Sequence, residues 1–82
     1  MIRILYFASL RERLGCAEEA LQDVPSTLAG LRAQLAARGG AWVEVFADEQ
    51  RVLAAVNQEM AVAGQTLQAG DEVGFFPPVT GG

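Results

Sequence analysis

The segment from Ile2 to Ala8 carries apolar residues on both of its alternating faces. Its β-branched and aromatic content reads as a strand. Side chains along a strand alternate sides, so Ile2, Ile4 and Tyr6 share one face while Leu5 and Phe7 share the other. Such a strand is either covered on both faces or covered on one and adhesive on the other. The chain has 82 residues. A domain of that size buries roughly 60–65% of its unfolded surface, so it has one thin core.

The remaining elements follow from local signals. Ser9 to Gly15 reads as a polar connection with a helical turn, and Ala17 to Asp23 as a second strand in hairpin with the first. A helix opens at Pro25-Ser26-Thr27, where Ser26 or Thr27 accepts from a free backbone N–H. Leu28, Leu31 and Leu35 fall on one helical face. Arg32 and Arg38 are expected toward the negative end of the helix dipole, and Gly39-Gly40 at its end. Gly30 inside the helix costs about 1 kcal/mol relative to alanine, which suggests close packing there. Ala41 to Ala47 fits a strand or a short helix equally well, with Trp42 and Phe46 as core. Strands are expected at Val52 to Val56, Met60 to Ala63 (short) and Glu72 to Phe76, with turns at Asn57-Gln58-Glu59 and Ala69-Gly70-Asp71.

This order predicts an α+β roll, one mixed sheet wrapped over one main helix. The first and last strands lie side by side and parallel at its centre, since a helix lies in the connection between them. That is the ubiquitin-like β-grasp arrangement. Residues 1–76 form the domain and 77–82 an extended, flexible C-terminal Gly-Gly tail.

The reactive inventory is short. The net charge is −4, all six basic residues are arginine, and there is no lysine or histidine. That removes an imidazole base, a histidine metal ligand and a phosphate-loop lysine. No footprint for nucleic acid or an anionic membrane is present, and no apolar run approaches the ~20 residues of a membrane helix. The N-terminus lacks the features of a signal peptide. A cytoplasmic protein is expected, with Cys16 as a small loop or core residue in a reducing compartment. The acidic pairs Glu18-Glu19, Asp48-Glu49 and Asp71-Glu72 read as solvated turn charges. A self-contained enzyme is hard to build from these parts, so a non-catalytic subunit supplying one group is expected.

The group singled out is the Gly82 carboxylate, in the terminal run Phe75-Phe76-Pro77-Pro78-Val79-Thr80-Gly81-Gly82. Two prolines fix φ and remove two donors, and two glycines leave the last carbonyl unshielded. Residues 77–82, extended at ~3.3 Å each, reach roughly 20 Å from the sheet. Joining the carboxylate to AMP creates a leaving group that a sulfur nucleophile displaces. Pro77, Pro78, Val79, Thr80 and Gly81 are the expected insertion segment.

The stretches Ile4-Leu5-Tyr6-Phe7-Ala8 with Arg11-Glu12, Leu53-Ala54-Ala55-Val56-Asn57-Gln58, Gly70-Asp71-Glu72-Val73 and the terminal run resemble the small, ubiquitin-like sulfur-carrier subunits of molybdopterin synthases. The resemblance spans the chain and is closest in roughly its last third. It implies adenylation of Gly82 by an ATP-dependent, ubiquitin-activator-like partner, with no cofactor or metal bound by the chain itself. It implies conversion to a thiocarboxylate by sulfur from a sulfurtransferase or cysteine desulfurase. The tail then enters the large synthase subunit, in a heterotetramer of two small and two large subunits, and sulfur passes to a cyclic pyranopterin monophosphate to build the molybdopterin dithiolene. A thiazole-synthesis carrier, a ubiquitin-like protein modifier and a passive binding module without covalent chemistry are the alternatives.

The alternation itself places a docking surface. Phe75 and Phe76 point to opposite faces, so one of them faces away from the helix. Phe7, Phe76 and Met60 are expected to form an apolar patch on that outer face, the competing assignment being core. Arg11 is either a charged contact at its rim or a solvated loop charge.

Overall fold

The computed structural model describes residues 1–47 and 52–78. The elements are β1 (Ile2–Tyr6), α1 (Ser9–Leu14), β2 (Glu18–Leu21), α2 (Leu28–Ala36), α3 (Ala41–Phe46), β3 (Leu53–Val56), β4 (Glu59–Ala61) and β5 (Glu72–Phe76). The strands form one sheet in the order β2-β1-β5-β3-β4. β1 and β5 pair parallel at its centre, Ile4 opposite Val73 and Tyr6 opposite Phe75. β2 pairs antiparallel with β1, and β3 with both β5 and β4. This is the mixed β-grasp sheet expected from the element order.

The core fills the space between one sheet face and α2. Ile2, Ile4, Val73 and Phe75 on the sheet, and Leu28, Leu31 and Leu35 on the helix, are fully buried. Burying one such aliphatic or aromatic side chain contributes about 1.5–3 kcal/mol. Thr27 is the cap that forms: its hydroxyl accepts from the Gly30 N–H at 3.2 Å.

Some local expectations are sharpened and others revised. The connection after β1 is a six-residue helix, entered through Ala8 at φ 54° and closed by Gly15 in the left-handed conformation. Ala41–Phe46 is helical, with Trp42 packed against the core and Phe46 buried within it. α2 stops at Ala36, short of Gly39-Gly40. Those glycines, at φ 79° and 57°, turn the chain into α3 instead. Arg32 is not at a helix end. It is buried in mid-helix, donates to the Val52 carbonyl at 2.6 Å and lies 5.6 Å from the Phe75 ring centre. Arg38 lies beyond α2 and serves a carboxylate rather than the dipole. Close packing at Gly30 does not hold either. A Cβ there meets Pro25 and Thr27 at 3.6 Å, ordinary contact. The Asn57-Gln58 turn has both residues at positive φ, the backbone that tight hairpins favour because its twist matches the strands.

Candidate functional site

The sheet's other face is left bare by the helices. Leu5 and Phe7 from β1 and its end, Ala55 from β3, Glu72, Gly74 and Phe76 from β5, and Gln58 from the β3–β4 turn enclose a groove of ≈ 250 Å³. Gly74 sits opposite both Leu5 and Ala55 in the register. It has no side chain, so the Phe7 ring lies over its backbone. A Cβ on Gly74 would stand 2.9 Å from Phe7 Cε2. A glycine inside a strand commonly marks such a close approach.

Phe7 is 46% exposed and Phe76 half-buried, so neither belongs to the core. The structure brings these two together. Met60 is 65% exposed and stands opposite Ala55, on the same face but at the edge strand. It does not line the groove. Arg11 is exposed on α1 and forms no ion pair among the described residues. The sequence reading missed Val62, 76% exposed beyond β4. Its signal was the spacing of two from Met60. The reading also missed Gly74, Ala55, Gln58 and Glu72, which line the groove without being hydrophobic anchors.

The tail leaves from a defined end of the sheet. Because β1 and β5 are parallel, their C-terminal ends adjoin, and the Phe7 N–H donates to the Phe75 carbonyl at 3.0 Å. α1 packs beside that end. Pro77 and Pro78 are half-buried where they follow β5. Val79, Thr80, Gly81 and Gly82, expected as insertion segment and reacting group, lie outside the described residues, as does the Asp48-Glu49 pair.

The inner side of the same end is rigidly built. Tyr6 and Phe75 stack with centres 6.1 Å apart, Phe46 meets Phe75 edge-on at 5.0 Å, and Trp42 meets Tyr6 edge-on at 5.5 Å. Arg38 grips Glu19 with two hydrogen bonds of 2.9 and 2.7 Å, and its guanidinium lies 4.4 Å over the Trp42 ring. The Tyr6 hydroxyl donates to the same carboxylate at 2.8 Å. The Arg38 hydrogen bonds hold Glu19 below the usual carboxylate range against the cost of partial burial, and burial pushes the Tyr6 phenol well above its usual range. Glu19 is therefore not the solvated turn charge expected of it.

Asp71 also has a structural role. It accepts from Asn57 Nδ2 at 3.0 Å and from the Gln68 N–H at 2.8 Å, and these bonds hold it below its ordinary range. The Glu72 N–H donates to Asn57 Oδ1, tying the β3–β4 turn to β5. Cys16 is half-buried against the core, with its thiol 3.4 Å from the Glu18 carbonyl. No group of three or more His, Cys, Asp or Glu side chains suited to a metal occurs among the described residues. No helix among them is long and apolar enough to cross a membrane. The groove thus offers shape, aromatic surface and one carboxylate, and no nucleophile or base pair for catalysis.

Comparison with known proteins agrees with this geometry. Residues 4–82 match the family described as the ThiS family. The chain is similar to the molybdopterin synthase sulfur carrier subunit of Escherichia coli (strain K12), 46% identical over 83 residues and covering both chains fully. It is similar to the protein of the same name from Haemophilus influenzae, 37% identical over 82 residues with full coverage of both. Among solved structures it resembles SAMP1 from Haloferax volcanii, with TM-score 0.78, 30% identity and coverage of 99% and 98% of the two chains.

Proposed function

From the premise that this chain belongs to the ThiS family, we propose that it is the sulfur carrier subunit of a molybdopterin synthase. The observation that carries this reading is the end-to-end similarity to sulfur carrier subunits, 46% in the first case, which runs through the terminal glycines. The bare groove beside the root of the tail supports it, because a carrier needs a surface for its partners and no catalytic machinery of its own.

In this reading the Gly82 carboxylate attacks ATP on an activating partner, releasing pyrophosphate and leaving a glycyl adenylate. The terminal sulfur of a persulfide on a sulfurtransferase or cysteine desulfurase then displaces AMP to give an acyl disulfide, and a second thiol cleaves its S–S bond, leaving the thiocarboxylate on Gly82 and a disulfide on the donor side. The body docks on the large subunit through Phe7 and Phe76, with Met60 and Arg11 at the margins of the contact. Residues 77–82 enter the large subunit's pocket, where sulfur passes to the cyclic pyranopterin. The working assembly is a cytoplasmic heterotetramer of two small and two large subunits. The carrier contributes the sulfur, and the partners contribute ATP binding and proton transfer.

The test is intact mass after incubation with ATP, the activating enzyme and a sulfur donor. A thiocarboxylate raises the mass by the difference between sulfur and oxygen. Removing Gly82 is expected to abolish the shift, and the pure chain with ATP is expected to release no AMP. An unchanged mass in the complete mixture overturns the reading. Phe76→Arg is expected to fold and to lose binding to the large subunit. Pull-down of a thiazole synthase in place of that subunit selects the thiazole-carrier alternative.

A further inference from the structure

We propose that the outer-face groove receives one basic side chain, an arginine or lysine, from the protein that docks there, with Glu72 as its acceptor. The inference rests on the docking reading above and names what fills the groove. The floor is Gly74 and Ala55, neighbours in the register, which leave a trough with no side chain beyond a methyl. Leu5 forms one wall, and Phe7 and Phe76 close the end nearest the tail. The opposite end is polar: Glu72 and Gln58.

The carboxylate at that end has unused acceptor sites. Among the described residues the Glu72 carboxylate accepts no hydrogen bond and joins no ion pair. Arg3 stands opposite Glu72 in the register and attracts it through space, but its guanidinium is hydrogen-bonded to Glu18, the stronger of its two acidic neighbours. The Gln58 carboxamide likewise has no hydrogen-bond partner among the described residues.

An apolar trough that ends in a carboxylate accepting no hydrogen bond matches a side chain with an apolar stem and a cationic head. The stem covers Gly74 and Ala55, the aromatic rings offer their faces to the positive charge, and the head reaches Glu72 by a charge-assisted hydrogen bond. A purely apolar occupant would cover Glu72 without a partner, which is costly, and an acidic one would be repelled. The net charge of −4 adds long-range attraction for a basic partner surface.

The experiment is calorimetric titration of the full chain with the large synthase subunit. Glu72→Gln keeps the shape and removes the charge. It is expected to weaken binding roughly tenfold or more, the size of a lost hydrogen bond to a charged group, with unchanged thermal unfolding. Glu59→Gln makes the same charge change on the other face, since Glu59 stands opposite the buried Val56, and is expected to leave affinity within roughly twofold. If Glu72→Gln binds like the parent while Phe76→Arg does not bind, the basic occupant is ruled out and the docking surface stands. If neither variant changes binding, the docking surface fails as well. If Glu59→Gln weakens binding as much as Glu72→Gln, the effect is net charge alone and the proposed occupant is overturned.

Discussion

The two faces of β5 differ by one residue of register and by everything else. Val73 and Phe75 point at α2 and are completely buried. Glu72, Gly74 and Phe76 point the other way and line a groove. On the inner face each side chain is held by several others, as Phe75 is by Tyr6 and Phe46. On the outer face the side chains are held by little, and one of its two phenylalanines, Phe7, rests on a missing side chain at Gly74. The same strand thus places apolar residues in the core on one side and on an open groove on the other. A small domain with one thin core does not provide cover for both.

Paired substitutions break that comparison most directly. Phe75→Ala is expected to cost about 3–5 kcal/mol, the range for a buried phenylalanine, read as a lowered urea midpoint. That is a large share of the stability of a domain this small. Phe76→Ala is expected to cost under about 1 kcal/mol in the same assay and to weaken binding of the large subunit by about 2 kcal/mol or more. Equal stability losses would show that both faces are core.

The inner clamp gives an intermediate effect with a pH signature. Arg38→Ala is expected to cost about 1 kcal/mol at neutral pH, the size of a partly exposed ion pair with an added ring contact. Glu19 titrates below its reference of 4.5 in the folded state. Its contribution is therefore present above that value and is lost as pH falls through the depressed folded pKa. The gap between parent and variant in urea melts should narrow on acidification from neutral to below pH 4.5, leaving the part due to Trp42. A gap that does not change with pH removes Glu19 from the account.

The smallest effect sharpens the outer face. Gly74→Ala forces the Phe7 ring off the strand, since the added Cβ would lie 2.9 Å from Cε2. The ring is 46% exposed and has room to swing. Stability should change by less than about 1 kcal/mol, while affinity for the large subunit drops several-fold. An unchanged Phe7 environment by NMR would show that the ring does not rest on Gly74.

The parts of the fold carried by short-range periodicity were readable in the chain. The spacing of two in Ile2, Ile4 and Tyr6, and of three and four in Leu28, Leu31 and Leu35, assigned β1 and α2 and their buried faces. The same alternation separated Phe75 from Phe76. The segment Ala41–Phe46 was not readable, because a short apolar run with Val43, Val45 and Phe46 fits either period. It became a helix where Trp42 and Phe46 meet Tyr6 and Phe75, residues far away in sequence. Glu19 and Arg38 looked like unrelated surface charges for the same reason.

Local pattern settled which residues seek cover, the order of the elements and the lack of histidine and lysine, because these depend on residue type and on neighbours a few positions away. Folding alone decided that Arg38 finds Glu19, that Phe7 lies on Gly74, and that the Glu72 carboxylate ends an apolar groove with no hydrogen bond among the described residues. Those outcomes depend on strand register and on distances between groups well separated along the chain, and no short stretch of sequence encodes either.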